Sequence, residues 1–241
     1  MTNQNQPKFS VIIPARNEAD IIREAVLAAK NQDVNSCEVI VVDNGSSDKT
    51  AEIAKEAGAK VVFEKTEGTN FARQKGFEES KGKIVAFSDA DCVPSSDWLS
   101  RIDKILHQTG AAAVSGPYDL GFKNPFIKAI DWLLWVVILP RLDKILPFLF
   151  GRKAGVIIGG NFAAPRETIE KIGGLPLLKF WGDDTATAML ISRRVGKVVF
   201  DPALRIKSSP RRYLTHGLFR VEGRYFWTYF KYYFSDYDQK K

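Results

Sequence analysis

Four short runs rich in apolar and β-branched residues alternate with segments of helical spacing, and this alternation constrains the fold more than any other feature of the chain. The runs are Phe9-Ser10-Val11-Ile12-Ile13, Glu38 to Val42, Lys60 to Glu64 and Ile84 to Ser88. Strand–helix–strand alternation needs crossover connections, which lay strands parallel and cover both faces of one sheet with helices. Between the first two runs, Ile21, Ile22, Ala25, Val26 and Ala29 recur at helical spacing. After the second, Asp43-Asn44-Gly45-Ser46-Ser47-Asp48 is a turn feeding a helix through Ala51, Ile53 and Ala54, with Gly58 as its stop. A helix from about Asn70 to Ser80 ends at Gly82, and Pro94-Ser95-Ser96-Asp97 caps another that begins near Trp98. The second half holds a strand over Ala111 to Gly116, an apolar segment from Pro125 to Phe150, and a return to the core at Val156 to Asn161. A short helix closed by Gly173-Gly174 follows, then a periodic helix from Thr185 to Val195. With 241 residues and 45% hydrophobic composition, the chain can bury one full α/β domain plus an appendage.

In open α/β sheets, ligands gather beyond the carboxyl ends of the strands. The loops there carry Pro14-Ala15-Arg16-Asn17-Glu18, then Asp43, then Asp89 and Asp91. Alternate residues of an extended backbone share a side, so Asp89 and Asp91 are expected to converge while Ala90 points away. Converging carboxylates repel unless a cation lies between them, and a hard divalent ion held by one or two carboxylates leaves positions for water and phosphate. A plain strand-end turn, where Asp is common, is the other reading of the same residues. No G-x-G-x-x-G or G-x-x-x-x-G-K-[ST] follows any strand, which counts against dinucleotide and P-loop binding. Asp183 and Asp184 precede a helix, where free amides and the macrodipole favour ionised carboxylates; simple capping would also account for them.

The formal charge of +7 is unevenly placed: residues 205–241 hold nine Lys/Arg against three Asp/Glu, and the rest is close to neutral. Those cations are interleaved with aromatic residues, including Tyr213, Phe219, Tyr225, Phe226, Trp227, Tyr229, Phe230, Tyr233 and Tyr237. Such a mixture suits an anionic membrane surface, and single-stranded nucleic acid competes on the same chemistry. The segment Trp132-Leu133-Leu134-Trp135-Val136-Val137-Ile138-Leu139 is closed off by Asp131, Pro140 and Arg141, far short of the ~20 apolar residues of a bilayer span. It is therefore a buried helix or an interfacial one, with Trp132 and Trp135 at headgroup depth in the second case; the interfacial reading favours the membrane over nucleic acid. Cys37 and Cys92 make no disulfide framework, Cys92 reads as a small buried filler, and Met1 to Lys8 lacks the apolar stretch of a secretory signal, so a cytoplasmic location is expected.

Taken together, the motifs resemble the family 2 glycosyltransferases, inverting enzymes of the GT-A fold that use nucleotide-diphosphate sugars. Val11-Ile12-Ile13-Pro14-Ala15-Arg16-Asn17-Glu18 looks like the family's opening signature and Val41-Val42-Asp43-Asn44-Gly45-Ser46-Ser47-Asp48 like its second. Asp89-Ala90-Asp91 looks like its metal motif, Gly159-Gly160-Asn161 like its acceptor-side loop, and Gly182-Asp183-Asp184 like its catalytic motif, with Asp183 where the family usually has Glu. The resemblance runs from about Phe9 to Asp201. It implies a GT-A-type, mostly parallel nucleotide-binding sheet flanked by helices over 1–204; composition adds an apolar interfacial insertion at about 124–152 and a basic, aromatic, membrane-associating helical appendage over 205–241.

Carried over residue by residue, the resemblance places Pro14, Ala15, Arg16, Glu18, Ala90, Gly160 and Asn161 around the donor. It puts Asp43 on the nucleobase, Arg73 on the base or phosphate side, and Asp89 on the ribose and a metal-bound water. Asp91 becomes the direct ligand of Mg2+ or Mn2+, Asp184 the general base, and Asp183 a residue that positions the acceptor. The resemblance implies a UDP- or GDP-sugar donor, while the basic aromatic tail and the apolar insertion point to a membrane-held, lipid-linked acceptor at the inner face of the cell membrane, with no nucleic acid expected. Arg211, Arg212 and His216 are open between a place in the site and solvated surface. A sugar-nucleotide pyrophosphorylase would need glycines in the first loop, which Pro14 to Glu18 lacks. A silent binding scaffold is a further alternative. Multiple spans and the Gln-x-x-Arg-Trp motif of polymer-extruding members are not found, so transfer of one sugar per encounter is expected.

Overall fold

Every residue of β1 (Phe9–Ala15) is buried, because parallel neighbours flank it in the sheet and helices cover both of its faces. The computed structural model describes residues 6–178 and 182–235. After β1 come α1 (Ile22–Lys30), β2 (Cys37–Asp43), α2 (Thr50–Glu56), β3 (Lys60–Phe63), α3 (Thr69–Glu79) and β4 (Ile84–Ser88), the alternation expected from the sequence with boundaries within a residue or two. The chain continues through β5 (Cys92–Val93), α4 (Trp98–Thr109), β6 (Ala113–Ser115) and β7 (Tyr118–Asp119). An apolar insertion then runs through α5 (Pro125–Trp132), a π-helical turn (Leu133–Ile138), a 3-10 turn (Leu139–Arg141) and α6 (Leu142–Phe150). The remainder is β8 (Asn161–Pro165), α7 (Arg166–Lys171), α8 (Asp183–Arg194), β9 (Val198–Phe200), β10 (Ile206–Ser208), α9 (Arg211–His216) and α10 (Leu218–Phe234).

Seven strands form the main sheet in the order β3-β2-β1-β4-β8-β6-β9. All run in one direction except β8, which is antiparallel to both β4 and β6, so the sheet is mostly parallel with one reversed strand. Alternation along the strands divides the core. Val11, Ile13, Val39, Val41 and Ala86 face a cluster roofed by α1 and α4 through Ile22, Val26, Trp98 and Ile102. Ile12, Ile40, Val42, Val85 and Phe87 face another filled by α3, α7 and α8 through Phe77, Ile169 and Leu190. Phe87 lies opposite Phe162 in the β4–β8 register and stacks on it at 4.4 Å, a contact worth about 1 kcal/mol beyond the area it buries.

Three features depart from expectation. The helix near Trp98 is not capped by the Asp97 side chain, whose Oδ2 is taken by Arg101 Nε at 2.6 Å and whose Oδ1 accepts from Ser95 Oγ. The division after residue 204 falls ahead of β10, which pairs with β5 and β7 in a second sheet and so ties the start of the appendage to the main body. The insertion divides the two readings of it: Trp132 is 56% exposed, whereas Trp135 is buried and stacks on Phe200 at 6.1 Å. Trp135, Leu146, Met189 of α8, Phe200, Tyr229 and Tyr233 form one cluster, so the insertion and α10 pack on each other and on α8. No helix among the described residues is long and apolar enough to cross a membrane. Tyr237 lies outside the described residues, and so do the side chains of Phe219 and His216.

Candidate active site

A cavity of about 1010 Å³ opens at the carboxyl ends of β1, β2 and β4 and reaches to α8, the insertion, α9 and α10. Its polar half is lined by Pro14, Ala15, Arg16 and Glu18 after β1, Asn44 after β2, Asp89 to Asp91 after β4, and Arg73 from α3. Asn17 stitches the first two loops. Its Oδ1 accepts from Ser47 N at 2.8 Å, its own N donates to Ser46 Oγ, and it takes a left-handed φ of 55°, a conformation Asn tolerates. Arg16 pairs with Glu67 at the rim.

Asp89 and Asp91 do converge, though not by strand alternation. The extended backbone stops at Ser88, and a turn closed by Cys92 N donating to Asp89 O swings the two side chains together. Carboxylate oxygens of both and Cys92 Sγ lie within 4.8 Å of one another. Each Asp89 oxygen already has a partner: Arg73 Nη2 donates to Oδ1 at 2.7 Å, and the Tyr118 hydroxyl to Oδ2 at 2.9 Å. Burial, reinforced by the Asp89 charge, pushes the Asp91 carboxyl up to about 6. Burial likewise raises the fully buried Cys92 thiol, which keeps it a neutral filler and leaves two hard carboxylates as the donor set. That set fits an oxygen-preferring divalent ion, with Asp91 the less encumbered ligand.

Arg73 is 6% exposed and joins two motifs 94 residues apart in the chain, because its Nη1 also donates to Asp183 Oδ2 at 2.9 Å. Burial works against its charge, and Asp89 and Asp183 outweigh burial to hold it firmly protonated. Its Nε is buried without a partner. The glycines of the 159–161 loop make room for this arrangement. A Cβ at Gly159 would lie 2.8 Å from the Arg73 guanidinium nitrogens, and one at Gly160 would collide with Asp89 and the Tyr118 hydroxyl. Gly160 N in turn donates to Tyr118 Oη at 3.1 Å.

Asp183 and Asp184 stand in the first turn of α8, after Gly182, whose φ of 110° suits glycine. A Cβ there would lie 2.5 Å from Tyr232 Cε2, so α10 closes directly over this turn. Asp184 accepts from Thr185 N at 2.7 Å and from the Gly159 amide. The helix terminus was expected to favour its ionised form. Burial, with the Asp183 charge beside it, prevails instead and pushes the Asp184 carboxyl up to about 6.

Two expected binding residues direct their side chains to partners within the fold. Asn161 is fully buried and spends its side chain inside the fold, accepting from Trp98 Nε1 at 2.9 Å and donating to the carbonyls of Pro117 and Leu204. Asp43 is buried, with Oδ1 accepting from Ser46 N at 3.2 Å, and its neighbour Asn44 lines the cavity. Arg211 and Arg212, left open by the sequence, both line the cavity. Arg211 grips Glu18 through two nitrogens at 2.6 and 3.1 Å, and Arg212 donates to Tyr225 Oη at 2.6 Å. Tyr118 was missed, because nothing in the sequence around it marks a residue that reaches Asp89 from another strand.

A mostly parallel α/β sheet with paired acids beyond β4 and a second acidic pair across one cavity is the architecture of the GT-A nucleotide-sugar transferases. The family model described as Glycosyl transferase family 2 matches residues 10–173, and the chain belongs to that family. It is 37% identical over 126 residues to Glycosyltransferase AglE of Haloferax volcanii, covering 49% of this chain and 41% of that protein. It is 33% identical over 190 residues to Probable glycosyltransferase YdaM of Bacillus subtilis, covering 70% and 43%. The chain thus spans less than half the length of these relatives. Among solved structures, the mannosyltransferase PcManGT of Pyrobaculum calidifontis, in complex with GDP-Man and Mn2+, superposes with a TM-score of 0.67 at 25% identity over 86% of this chain and 58% of that one. Glucosyl-3-phosphoglycerate synthase of Mycobacterium tuberculosis, with Mg2+ and UDP, shares the fold with a TM-score of 0.61 at 21% identity, covering 92% and 79%.

Proposed function

We propose that the chain transfers one sugar, with inversion, from a nucleotide-diphosphate sugar to a hydroxyl or phosphate oxygen of a lipid-linked acceptor. The observation that carries this reading is the single cavity that holds Asp89 and Asp91 at one strand end and Asp183 and Asp184 at the start of α8. The donor lies over the β1, β2 and β4 loops, with Pro14 to Glu18, Asn44 and Ala90 at its base and ribose. Its sugar projects toward α8. Asp184, within reach of the incoming hydroxyl, accepts its proton as the acceptor oxygen bonds to the anomeric carbon. The bond from that carbon to the diphosphate breaks on the opposite side, and both electrons leave with the diphosphate. Mg2+ or Mn2+ held by Asp91, with Asp89 beside it, would neutralise the negative charge on those phosphates. Arg73 keeps Asp89 and Asp183 in place, and Asp183 orients the acceptor. GDP-Man and UDP in the structural neighbours support a donor of one of these two kinds.

The membrane reading rests on surface chemistry. Phe126, Trp132, Phe148, Leu149 and Phe150 of the insertion and Trp227 and Phe234 of α10 are at least half exposed, and Phe150 meets Phe234 edge-on at 5.2 Å. Both segments also carry lysines and arginines along the sequence, a composition that suits a peripheral protein held at the anionic cytoplasmic leaflet. The test of the catalytic reading is turnover of UDP- and GDP-sugars with Mn2+ or Mg2+ by the chain and by Asp184→Asn. Loss of turnover with nucleotide binding intact is the expected result, and full activity in that variant would refute it.

A further inference from the structure

The half of the cavity farthest from the strand ends is walled by hydrocarbon. Leu134, Trp135, Ile138 and Leu139 of the insertion line it together with Tyr229 and Phe230 of α10. Leu134, Ile138 and Leu139 offer no hydrogen bond to a sugar hydroxyl or a phosphate, so this part of the lining suits apolar surface. The wall belongs to the site, because Trp135, Tyr229 and Met189 of α8 share one buried cluster, and α8 begins with Asp183 and Asp184. It is also open at one end: Ile138 is 39% and Phe226 66% exposed, yet both line the cavity. Arg211, Arg212 and Arg224 line the same cavity.

We infer that this half-cavity is a subsite for the hydrocarbon chain of an amphiphilic acceptor whose anionic, phosphate-bearing head lies toward the arginines and Asp184. The inference rests on the proposed transfer reaction and names the acceptor's chemical class. Burial of such a chain is favourable in proportion to the apolar area it removes from water, so a few methylenes on this wall outweigh what an exposed phosphate contact supplies. The open end lets a long chain run outward along the exposed face of the insertion and α10.

The experiment titrates the full chain with monomeric dodecyl phosphate, with inorganic phosphate and with neutral dodecyl maltoside by calorimetry, alongside UDP and GDP with Mn2+. The expected result is dodecyl phosphate binding at least tenfold tighter than either control ligand. It should weaken at least tenfold in Ile138→Asp and in the surface variant Phe226→Asp, with nucleotide affinity unchanged in both. Phe63→Asp, at an exposed position outside the cavity, should bind like the parent chain. Equal binding of dodecyl phosphate and inorganic phosphate, or equal losses in Phe63→Asp, would overturn the subsite. A chain that turns over nucleotide sugars but shows no chain-length preference retains the transfer reading and loses this one. Tight dodecyl phosphate binding without any donor binding supports the subsite and removes the transfer reading.

Discussion

The Arg73 guanidinium donates to the Asp183 carboxylate at 2.9 Å, and this bond ties α3, beside the donor loops, to the first turn of α8. The same guanidinium reaches Asp89 at 2.7 Å, so one buried cation fixes the spacing of two acidic motifs that would otherwise repel.

Replacing Arg73 by Gln should therefore destabilise the protein by about 3 kcal/mol, the usual cost of removing one partner from a buried pair. Urea unfolding followed by circular dichroism measures it. Arg73→Lys, which can meet only one carboxylate at a time, should fall between the two. A loss below about 0.5 kcal/mol in Arg73→Gln would show that the bridge contributes little to stability.

Asp184 gives two pH signatures of opposite sense. In its proposed role of general base it must be ionised, so turnover should rise with pH through about 6, and Asp184→Asn should lose about 10²- to 10⁴-fold at all pH values. Stability runs the other way. A carboxyl raised by folding favours the protonated folded state, so its contribution is present below the ordinary Asp range and is lost as pH rises through about 6. Asp184→Asn should then melt higher than the parent chain at pH 8, and the gap should close near pH 4. Thermal melts across that range decide it; a melting difference independent of pH would contradict the burial of an ionisable group there.

Tyr118→Phe removes a hydroxyl that donates to Asp89 and accepts from Gly160 N. Left without a partner, the amide and the carboxylate oxygen should cost about 1–2 kcal/mol of stability. Asp89 also becomes free to turn, so Mn2+ affinity in the presence of UDP or GDP should fall about tenfold, as outer-shell losses do at metal sites. Isothermal titration reads the second effect separately from the first.

Membrane docking through the insertion and α10 predicts sedimentation with vesicles containing anionic phospholipid and weaker binding at high salt. Phe148 is 89% and Trp227 74% exposed, so Phe148→Asp and Trp227→Asp should leave folding intact while sharply reducing the bound fraction. Equal binding to neutral and anionic vesicles would remove the electrostatic half of the argument.

The strand and helix alternation of the first half was legible because the apolar runs at β1, β2 and β4 are continuous and their breakers, Gly58 and Gly82, stand where elements end. The acidic motifs were legible as residue types at strand ends. Their partners were not. Tyr118 reaches Asp89 across strands 29 positions apart, and Asn161, a site residue by motif, is drawn inward by Trp98, Pro117 and Leu204. Likewise the expected ionisation of Asp184 follows from local helix geometry alone, whereas desolvation depends on what covers the turn, and α10 is the cover.

Local sequence determined which segments are strand or helix, where acids gather at strand ends, and that apolar and basic residues concentrate after residue 124, since propensity, periodicity and turn chemistry act over a few neighbours. Only the tertiary structure decided that Arg73 bridges two motifs, that burial raises the Asp91 and Asp184 carboxyls, and that the insertion and α10 line the cavity. Each of these depends on burial and on contacts between residues far apart in the chain, and neither quantity exists until the sheet has closed around them.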